Sequence, residues 1–340
     1  MVKPLAVSMG EPAGIAPEIV LRAHLALQNE TRFFVVGDAG LLHETAARLG
    51  LNIICYNMLD AADMPSDTRL LPVLKVPVPL AAPVIPGTLN TANAPAVVSS
   101  IDAALSAVQQ GFASALVTCP IHKGTLYAAG FRHDGHTEYL AARTFAPLPV
   151  MLLTSEAINP PLRVVPLTIH KPLRDVAELI APHRIIAAVK VLDAALRRDF
   201  GIQTPRIAVA ALNPHAGEGG AMGDEEIRCI QPALKALQEQ GFHVTGAHAA
   251  DTLFHSEARA QYDAALCMYH DQALIPLKTL DFWGGVNVTL GLPVVRTSPD
   301  HGTALALAQS GAGANPDSLI AALRLAATLA ARRADPHASH

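Results

Sequence analysis

The chain has 340 residues, of which 51% are apolar and only 4% aromatic, and its formal net charge is −4. This length predicts about two domains or one large domain, and the charge argues against a basic nucleic-acid-binding face. No apolar run of about 18 residues occurs, so no membrane-spanning helix is expected. The four cysteines form neither a CxxC pair nor a small-domain disulfide pattern, and these features together predict a cytoplasmic protein.

The first apolar run, residues 5–9, predicts a strand and is too short for the hydrophobic region of a secretion signal. The GEPAG sequence at 10–14 follows it and predicts a tight turn before a helix. Apolar runs then alternate with loops and amphipathic segments. This alternation predicts an α/β fold, with parallel strands and helices on both faces of the sheet.

Several elements are predicted in the second half of the chain. Residues 184–199 repeat apolar side chains at helical spacing, and residues 206–212 predict the next strand. A second helix is predicted over 225–240, although Pro232 should kink or shorten it. The last helix is expected to begin at Asn315-Pro316, where a capping residue precedes a proline.

Four of the fifteen histidines follow apolar runs that predict strands. In open α/β sheets, ligands bind beyond the carboxyl ends of the strands. One histidine at such a place is usually incidental, but three or four together favour a shared site. Neutral imidazoles at adjacent strand ends can hold a divalent metal ion and leave positions open for substrate. His133 and His136 are expected to line the same cleft. The four strand-end residues are His122, His170, His215 and His270.

The glycine-rich segment 213–223 joins a predicted strand to a helix. Glycines there let backbone N–H groups approach an anion or a metal-bound ligand, and a flexible connection is the alternative. The segment lacks the dinucleotide-binding G-x-G-x-x-G pattern, because Met222 stands where the third glycine is required. A nucleotide is therefore expected to bind outside this motif.

Three carboxylates are candidates for acid–base or metal chemistry. Asp271 directly follows His270, Asp251 lies in ADTLF at 250–254, and Asp300 precedes His301. A carboxylate beside a metal can bind it, orient an imidazole or act as a base. Helix capping or a loop hydrogen bond is the alternative for Asp251 and Asp300.

Three cations are candidates for binding an anionic ligand. Lys278 and Arg296 lie in mostly apolar stretches, where a cation usually faces a carboxylate or an anion. Lys123 could serve likewise, although a lone lysine more often lies at the surface.

Short motifs spread over nearly the whole chain complete the pattern. They are GEPAGI at 10–15, PIHKG at 120–124, GHTE at 135–138, HKPLRD at 170–175, NPHAGEGG at 213–220, ADTLF at 250–254, MYHDQ at 268–272, NVTLGLP at 287–293, RTS at 296–298 and DHGTA at 300–304. Together they resemble the 4-hydroxythreonine-4-phosphate dehydrogenase family of pyridoxal phosphate biosynthesis, and the combination is highly specific.

The resemblance implies an isocitrate/isopropylmalate dehydrogenase-like fold, with two α/β/α domains and a cleft between them. The first domain is expected to contain residues 1–130 and 298–340, and the second, with the metal-binding histidines, residues 131–297. The resemblance also implies a homodimer with an active site shared between subunits. We assign His170 and His215 of one site to one chain and His270 to the other.

The functional residues of the family fall on matching positions of this chain. The implied metal ligands are His170, His215 and His270. The implied substrate contacts are His136, Thr137, Lys278, Asn287 and Arg296. Our candidates for the catalytic base are Asp271 and Asp251, and the residues leave the choice between them open.

The implied reaction is the oxidation of 4-phosphooxy-L-threonine by NAD or NADP, with one divalent Zn, Mg or Co ion per site. The product, 2-amino-3-oxo-4-phosphooxybutanoate, would decarboxylate to 3-amino-2-oxopropyl phosphate. Three positions depart from the family pattern. Ala16 stands where glycine is usual, and Ala306 and Gln309 replace an acidic residue and a glycine, which can alter a loop near the cofactor.

Other functions stay open at this point. Relatives within the enzyme class oxidise phosphorylated threonate or aromatic dihydrodiols, although PIHKG at 120–124 favours the threonine-phosphate branch. A metal-dependent hydrolase or aldolase would use the same histidines without a nucleotide. A non-catalytic binding protein would leave the charged residues near the histidines without a role.

Overall fold

The computed structural model describes residues 3–334 of the chain. Strands and helices alternate, and no helix within this range is long and apolar enough to cross a membrane. The strands are β1 (Leu5–Ser8), β2 (Phe33–Gly37), β3 (Ile54–Met58), β4 (Leu70–Lys75), β5 (Leu116–Thr118), β6 (Val150–Ser155), β7 (Leu162–Thr168), β8 (Ile207–Ala210), β9 (Val244–His248), β10 (Ala264–Tyr269), β11 (Val286–Leu290) and β12 (Arg296–Pro299). The α-helices are α1 (Ala16–Leu27), α2 (Ala39–Arg48), α3 (Ala94–Gln109), α4 (Lys123–Ala128), α5 (His136–Thr144), α6 (Leu173–Leu179), α7 (Pro182–Arg198), α8 (Gln231–Glu239), α9 (Ser256–Arg259), α10 (His270–Leu280), α11 (Leu305–Ser310) and α12 (Asp317–Ala334).

The elements predicted in the second half of the chain are present, except that one predicted helix is divided into two elements. Helix α7 and strand β8 lie within two or three residues of their predicted bounds. The predicted helix over 225–240 is instead a π turn, Glu226–Ile230, followed by α8. Pro232 lies in the first turn of α8, where its missing N–H costs no helical hydrogen bond. The proline therefore marks the start of the regular helix.

The described part of the chain forms two compact units, and the first contains residues 3–146 and Leu292–Ala331. Its six strands are all parallel, in the order β3-β4-β2-β1-β5-β12. Val7 of β1 pairs with Val35 on one side and Val117 on the other. All four residues of β1 are buried, as expected for a parallel sheet covered on both faces.

The second unit is built on Pro147–Gly291, and its strands have the order β11-β6-β7-β10-β8-β9. Strands β7, β10, β8 and β9 are parallel neighbours, as predicted. Strand β6 is antiparallel to both β7 and β11, so the prediction of a wholly parallel arrangement was wrong for this part. The connection from β6 to β7 is too short for a crossover helix, which forces an antiparallel pair.

One row of paired residues runs across the second unit. Asn287 of β11 is paired with Leu153 of β6, and Leu153 with Val164 of β7. Val164 is in turn paired with Ala265 of β10. Asn287 therefore lies level with the beginning of β7 rather than with its carboxyl end.

The chain passes from the first compact unit to the second after Ala146 and returns to the first after Gly291. The sequence-based division is placed after residues 130 and 297. Residues between these points, including His136 and Arg296, therefore lie in the first unit of the structure. The assignment of these units to separate folding domains stays a prediction.

Candidate functional site

The carboxyl ends of β7, β10 and β8 carry three of the predicted histidines, and we call this region the histidine edge. The three strands are adjacent and parallel, so the residues that follow them leave the sheet at the same edge. His170 follows β7, His270 begins α10 after β10, and His215 lies in the loop after β8. The topology therefore places these histidines as the strand-end argument expects.

Two of these histidines lie together within one chain. The ring centroids of His170 and His270 are 5.8 Å apart. Helix α10, which begins with His270, is fixed on the core of the second unit through the fully buried side chains of Ala273 and Leu277. The two imidazoles are thus near neighbours on a firmly packed part of the unit.

Asp271 is hydrogen-bonded to His270 rather than directed away from it. Its Oδ1 lies 2.7 Å from His270 Nδ1. When Nδ1 donates to a carboxylate, the lone pair of Nε2 is presented to a metal ion, and this arrangement is common around metal-bound histidines. His170 and His270 therefore supply two nitrogen donors of the kind that zinc prefers, one fewer than the three protein ligands of a catalytic zinc site.

His215 does not complete this site within the single chain. Its side chain is exposed. No three His, Cys, Asp or Glu side chains between residues 3 and 334 come close enough to hold one ion. The structure therefore brings the His170 and His270 rings close together, and His215 forms no three-residue donor group with them in the described part of one chain.

The loop that carries His215 forms a left-handed turn. Residues 215–219 have φ values of 50°, 53°, 74°, 41° and 67° in succession. His170 also has a positive φ, of 51°. For a residue other than glycine this conformation costs about 1–2 kcal/mol, and such strain tends to concentrate at functional sites. Nothing in the sequence predicts it for His170 or His215.

The second candidate base, Asp251, lies in the short 3-10 turn Ala250–Thr252, and its side chain is exposed. The role of Asp271 is more closely defined, because its carboxylate is already hydrogen-bonded to His270. An orienting role for Asp271 follows directly from this contact, so Asp251 stays the less constrained candidate for the base.

Lys278 and Asn287, two predicted substrate contacts, lie in the second unit. Lys278 is on the last turns of α10, with its Nζ 5.2 Å from the centre of the Phe282 ring. Asn287 is on β11, and its Oδ1 is buried with no hydrogen-bond partner among the residues that the structure describes. A buried amide oxygen of this kind is costly unless a ligand or another molecule satisfies it.

Arg296 is the centre of a polar group in the first unit. Its side chain is buried, and its Nε and Nη2 donate to Thr118 Oγ1 at 3.1 and 2.6 Å. Burial lowers the pKa of Arg296 to about 10, against the opposing effect of Glu138. The guanidinium therefore keeps its charge at neutral pH, in surroundings where charge is costly.

His136 lies near Arg296 and begins α5. Its Nε2 is buried and has no hydrogen-bond partner within residues 3–334. Burial, and then the charges of Arg296 and Lys123, hold the pKa of His136 well below 6.5, so the ring is neutral at pH 7. His136 and Thr137 also form the first turn of α5, whose N–H groups favour an anion. We call Arg296, Thr118, His136, Thr137 and Glu138 the Arg296 cluster.

Three further residues escaped the sequence analysis. Thr118 accepts hydrogen bonds from Arg296, although it is 178 residues away in sequence. The charge of Glu138 raises the pKa of Arg296 against the effect of burial. Glu11 is buried, its Oε1 accepts a hydrogen bond from Ala13 N, and burial raises its pKa against that bond and the nearby His122. The GEPAGI motif that contains Glu11 was the available signal.

The sequence matches one protein-family model over residues 29–326, described as pyridoxal phosphate biosynthetic protein PdxA. The chain belongs to the PdxA family. A PdxA relative from Caulobacter vibrioides, named 4-hydroxythreonine-4-phosphate dehydrogenase, is 49% identical over 97% of this chain and 98% of its own length. A relative of the same name from Roseobacter denitrificans is 50% identical, with 97% and 98% covered.

Solved structures agree with the PdxA assignment. The 4-hydroxythreonine-4-phosphate dehydrogenase of Klebsiella pneumoniae is 38% identical, with a TM-score of 0.86 over 96% of this chain and 99% of that one. The terephthalate 1,2-cis-dihydrodiol dehydrogenase of Burkholderia xenovorans is 26% identical, with a TM-score of 0.63 over 96% and 98%. These comparisons confirm the family resemblance and the predicted isocitrate-dehydrogenase-like α/β class.

Two of the residues that depart from the PdxA pattern lie against glycines of the first unit. Gln309 lies against Gly87, where an added Cβ would be 2.4 Å from Gln309 Cβ. Ala16 lies against Gly10, where an added Cβ would be 3.0 Å from the Ala16 methyl. The larger side chains at positions 16 and 309 are therefore accommodated because the facing residues are glycines.

Proposed function

We propose that this PdxA-family chain is a metal-dependent, NAD- or NADP-linked dehydrogenase of 4-phosphooxy-L-threonine. It would produce 2-amino-3-oxo-4-phosphooxybutanoate, which loses CO2 to give 3-amino-2-oxopropyl phosphate for pyridoxine 5'-phosphate biosynthesis. The shared name of the relatives supports this substrate and a nicotinamide hydride acceptor. The observation that carries the proposal is the Arg296 cluster, because its chemistry suits a phosphorylated substrate.

The Arg296 cluster would bind the phosphate group. A guanidinium is a planar donor that matches two phosphate oxygens at once, and Arg296 is held in place by Thr118. The neutral His136 ring and the first turn of α5 add donors without a second full charge. Lys278 and Asn287 are the other proposed substrate contacts.

His170, His215 and His270 would hold the divalent ion, which supplies Lewis acidity that lowers the pKa of an alcohol it binds. Asp271 would keep the His270 ring in one tautomer through its bond to Nδ1. The proton of the substrate hydroxyl would pass to a carboxylate, for which Asp251 is our candidate. A bound NAD or NADP would supply the hydride acceptor for this oxidation.

The functional form would be a homodimer with a shared active site. The second unit exposes several large apolar side chains on and just after α10, and such surfaces mark contacts with other molecules. His170 and His270 are neighbours in one chain, whereas His215 forms no three-residue donor group with them in its described residues. This geometry favours His170 and His270 from one chain with His215 from its partner, in place of the sequence-based assignment. The exposed residues are Ile275, Leu280, Phe282 and Trp283.

A nucleotide-reduction assay tests the proposal. The purified chain is given NAD or NADP with 4-phosphooxy-L-threonine, with and without a metal chelator. Phosphorylated threonate and a terephthalate cis-dihydrodiol serve as competing substrates, since a dihydrodiol dehydrogenase is also a structural neighbour. We expect chelator-sensitive turnover that is fastest with 4-phosphooxy-L-threonine. Faster turnover of a competing substrate, or substrate loss without nucleotide, would contradict it.

A further inference from the structure

A buried carboxylate holds the entry to the loop that carries His215. The side chain belongs to Glu226, which is 3% exposed. Its Oε1 accepts hydrogen bonds from the backbone N–H groups of Leu212 and Asn213, both at 2.8 Å. Its Oε2 accepts a third bond, of 3.0 Å, from the side-chain amide of Asn213. Glu226 thus fixes the two residues that precede Pro214 and His215.

The same carboxylate lies against the middle of the left-handed turn. A Cβ atom added to Gly217 would be 2.7 Å from Glu226 Oε2. Gly217 is also buried, although most of the turn around it is exposed. Glu226 therefore contacts the loop both before and after His215. The side chains of His215 and Glu218, on either side of the buried Gly217, are exposed.

A buried amide ties the same loop to the strand that carries His270. Gln272 Nε2 donates to the carbonyl oxygen of Ala211 at 2.8 Å, and its Oε1 accepts from Met268 N at 2.7 Å. Met268 is in β10, two residues before His270. The start of the His215 loop is therefore connected to the backbone at His270 through one side chain.

We propose that Glu226 is a positioning residue for His215. By fixing the entry and the centre of the left-handed turn, it would hold the imidazole in one place at the histidine edge. Gln272 would hold the start of the same loop on β10. The inference rests on the proposed metal-dependent function, because the positioning matters only if His215 binds a cation.

Two substitutions of Glu226 distinguish an effect on the position of His215 from the general effect of changing a buried side chain. Glu226→Ala removes all three hydrogen bonds and should lower the affinity for Zn2+ by about 10–100-fold. Glu226→Gln keeps one oxygen that can accept both backbone N–H groups. It loses only the bond from the Asn213 side-chain amide, from which Glu225 still accepts. The Gln variant should therefore bind Zn2+ within about threefold of the unsubstituted chain.

Asp193→Ala is the matched control. Asp193 is another buried carboxylate of the second unit, paired with Arg197 on the same helix. Its removal should lower the free energy of unfolding while leaving Zn2+ affinity within about threefold. Affinity is measured on the metal-free full chain by competition with a chromogenic chelator. Hydrogen exchange at residues 212 and 213 is measured on the same samples and should speed up only in Glu226→Ala.

The outcomes are distinct. Zn2+ affinity that is unchanged in Glu226→Ala, or lowered equally in Glu226→Gln or Asp193→Ala, would overturn the positioning role. An unsubstituted chain that binds no Zn2+ would instead refute the proposed metal site. The exchange rates would still report whether Glu226 holds the loop, so the two failures can be told apart.

Discussion

Pairwise mixing of three histidine variants tests which ligands come from the same chain. His170→Ala, His215→Ala and His270→Ala homodimers should each be inactive. Under the proposed metal site, the 5.8 Å separation of the His170 and His270 rings in one chain predicts that both bind the same ion. Mixing His170→Ala with His215→Ala should then restore activity, because one heterodimer site draws His170 and His270 from one chain and His215 from the other. Mixing His170→Ala with His270→Ala should restore none, because each site then contains a lesion.

The size of the recovery follows from the symmetry of a two-fold dimer. Random reassociation makes about half of the dimers heterodimers, and each complementing heterodimer has one intact site of two. The refolded mixture should therefore reach about a quarter of the activity of refolded unsubstituted protein, and the purified heterodimer about half.

The assay is nucleotide reduction after denaturation and refolding of chains that carry two different affinity tags. Sequential purification on both tags isolates the heterodimers and shows that they have formed. The His215→Ala and His270→Ala mixture is a positive control, since it should recover under either division of the ligands. Recovery with His170→Ala and His270→Ala would refute the pairing inferred from the structure. No recovery in any isolated heterodimer would refute a shared site altogether.

Three further substitutions test other parts of the reasoning. Arg296→Lys should raise KM for the phosphorylated substrate by about 10–100-fold, because bidentate charged hydrogen bonds are lost; an equal loss with an unphosphorylated analogue would show that Arg296 does not bind phosphate. His215→Ala should lower metal content and abolish turnover while the melting temperature stays within a few degrees, and full activity of the chelator-treated variant would contradict the metal site. Burial raises the pKa of Asp199, but its ion pairs with Arg333 and Arg198 lower it to a net value below 3.8. Its stabilising effect is therefore complete above pH 3.8 and lost as pH falls through the lower folded-state pKa. Asp199→Asn should cost about 3 kcal/mol at pH 7, and urea unfolding should show this cost shrinking below pH 4; an equal cost at pH 7 and pH 3 would contradict the ion-pair account.

Local patterns were sufficient for the elements whose own sequence encodes them. Helix α7 was predictable because its apolar residues recur at helical spacing, and β8 because its run is short, apolar and followed by a turn. The reversed direction of β6 was not anticipated. Strand direction depends on the length of the connection to β7, and an apolar run has no intrinsic direction.

The candidate site was only partly accessible from the sequence. Strand-end position identified His170, His215 and His270, because parallel strands deliver their carboxyl ends to one edge. The left-handed turn at 215–219 was not predictable, because its anchors Glu226 and Gln272 act from other elements. The contact between Arg296 and Thr118 joins residues 178 positions apart, for which a single sequence carries no signal.

The row of paired residues through Asn287 and Val164 bears on how specific activity should depend on enzyme concentration. Thr168, where β7 ends, lies four residues beyond Val164, or about 13 Å at a strand's rise per residue, and His170 follows it. Along the strand direction this separation is longer than a chain of four carbon atoms. We therefore expect one substrate to contact Asn287 and His170 of different chains, as the proposed shared site requires, so that a dissociated chain is folded but inactive. Specific activity should then fall when the enzyme is diluted through the dissociation range of its dimer, and return on reconcentration.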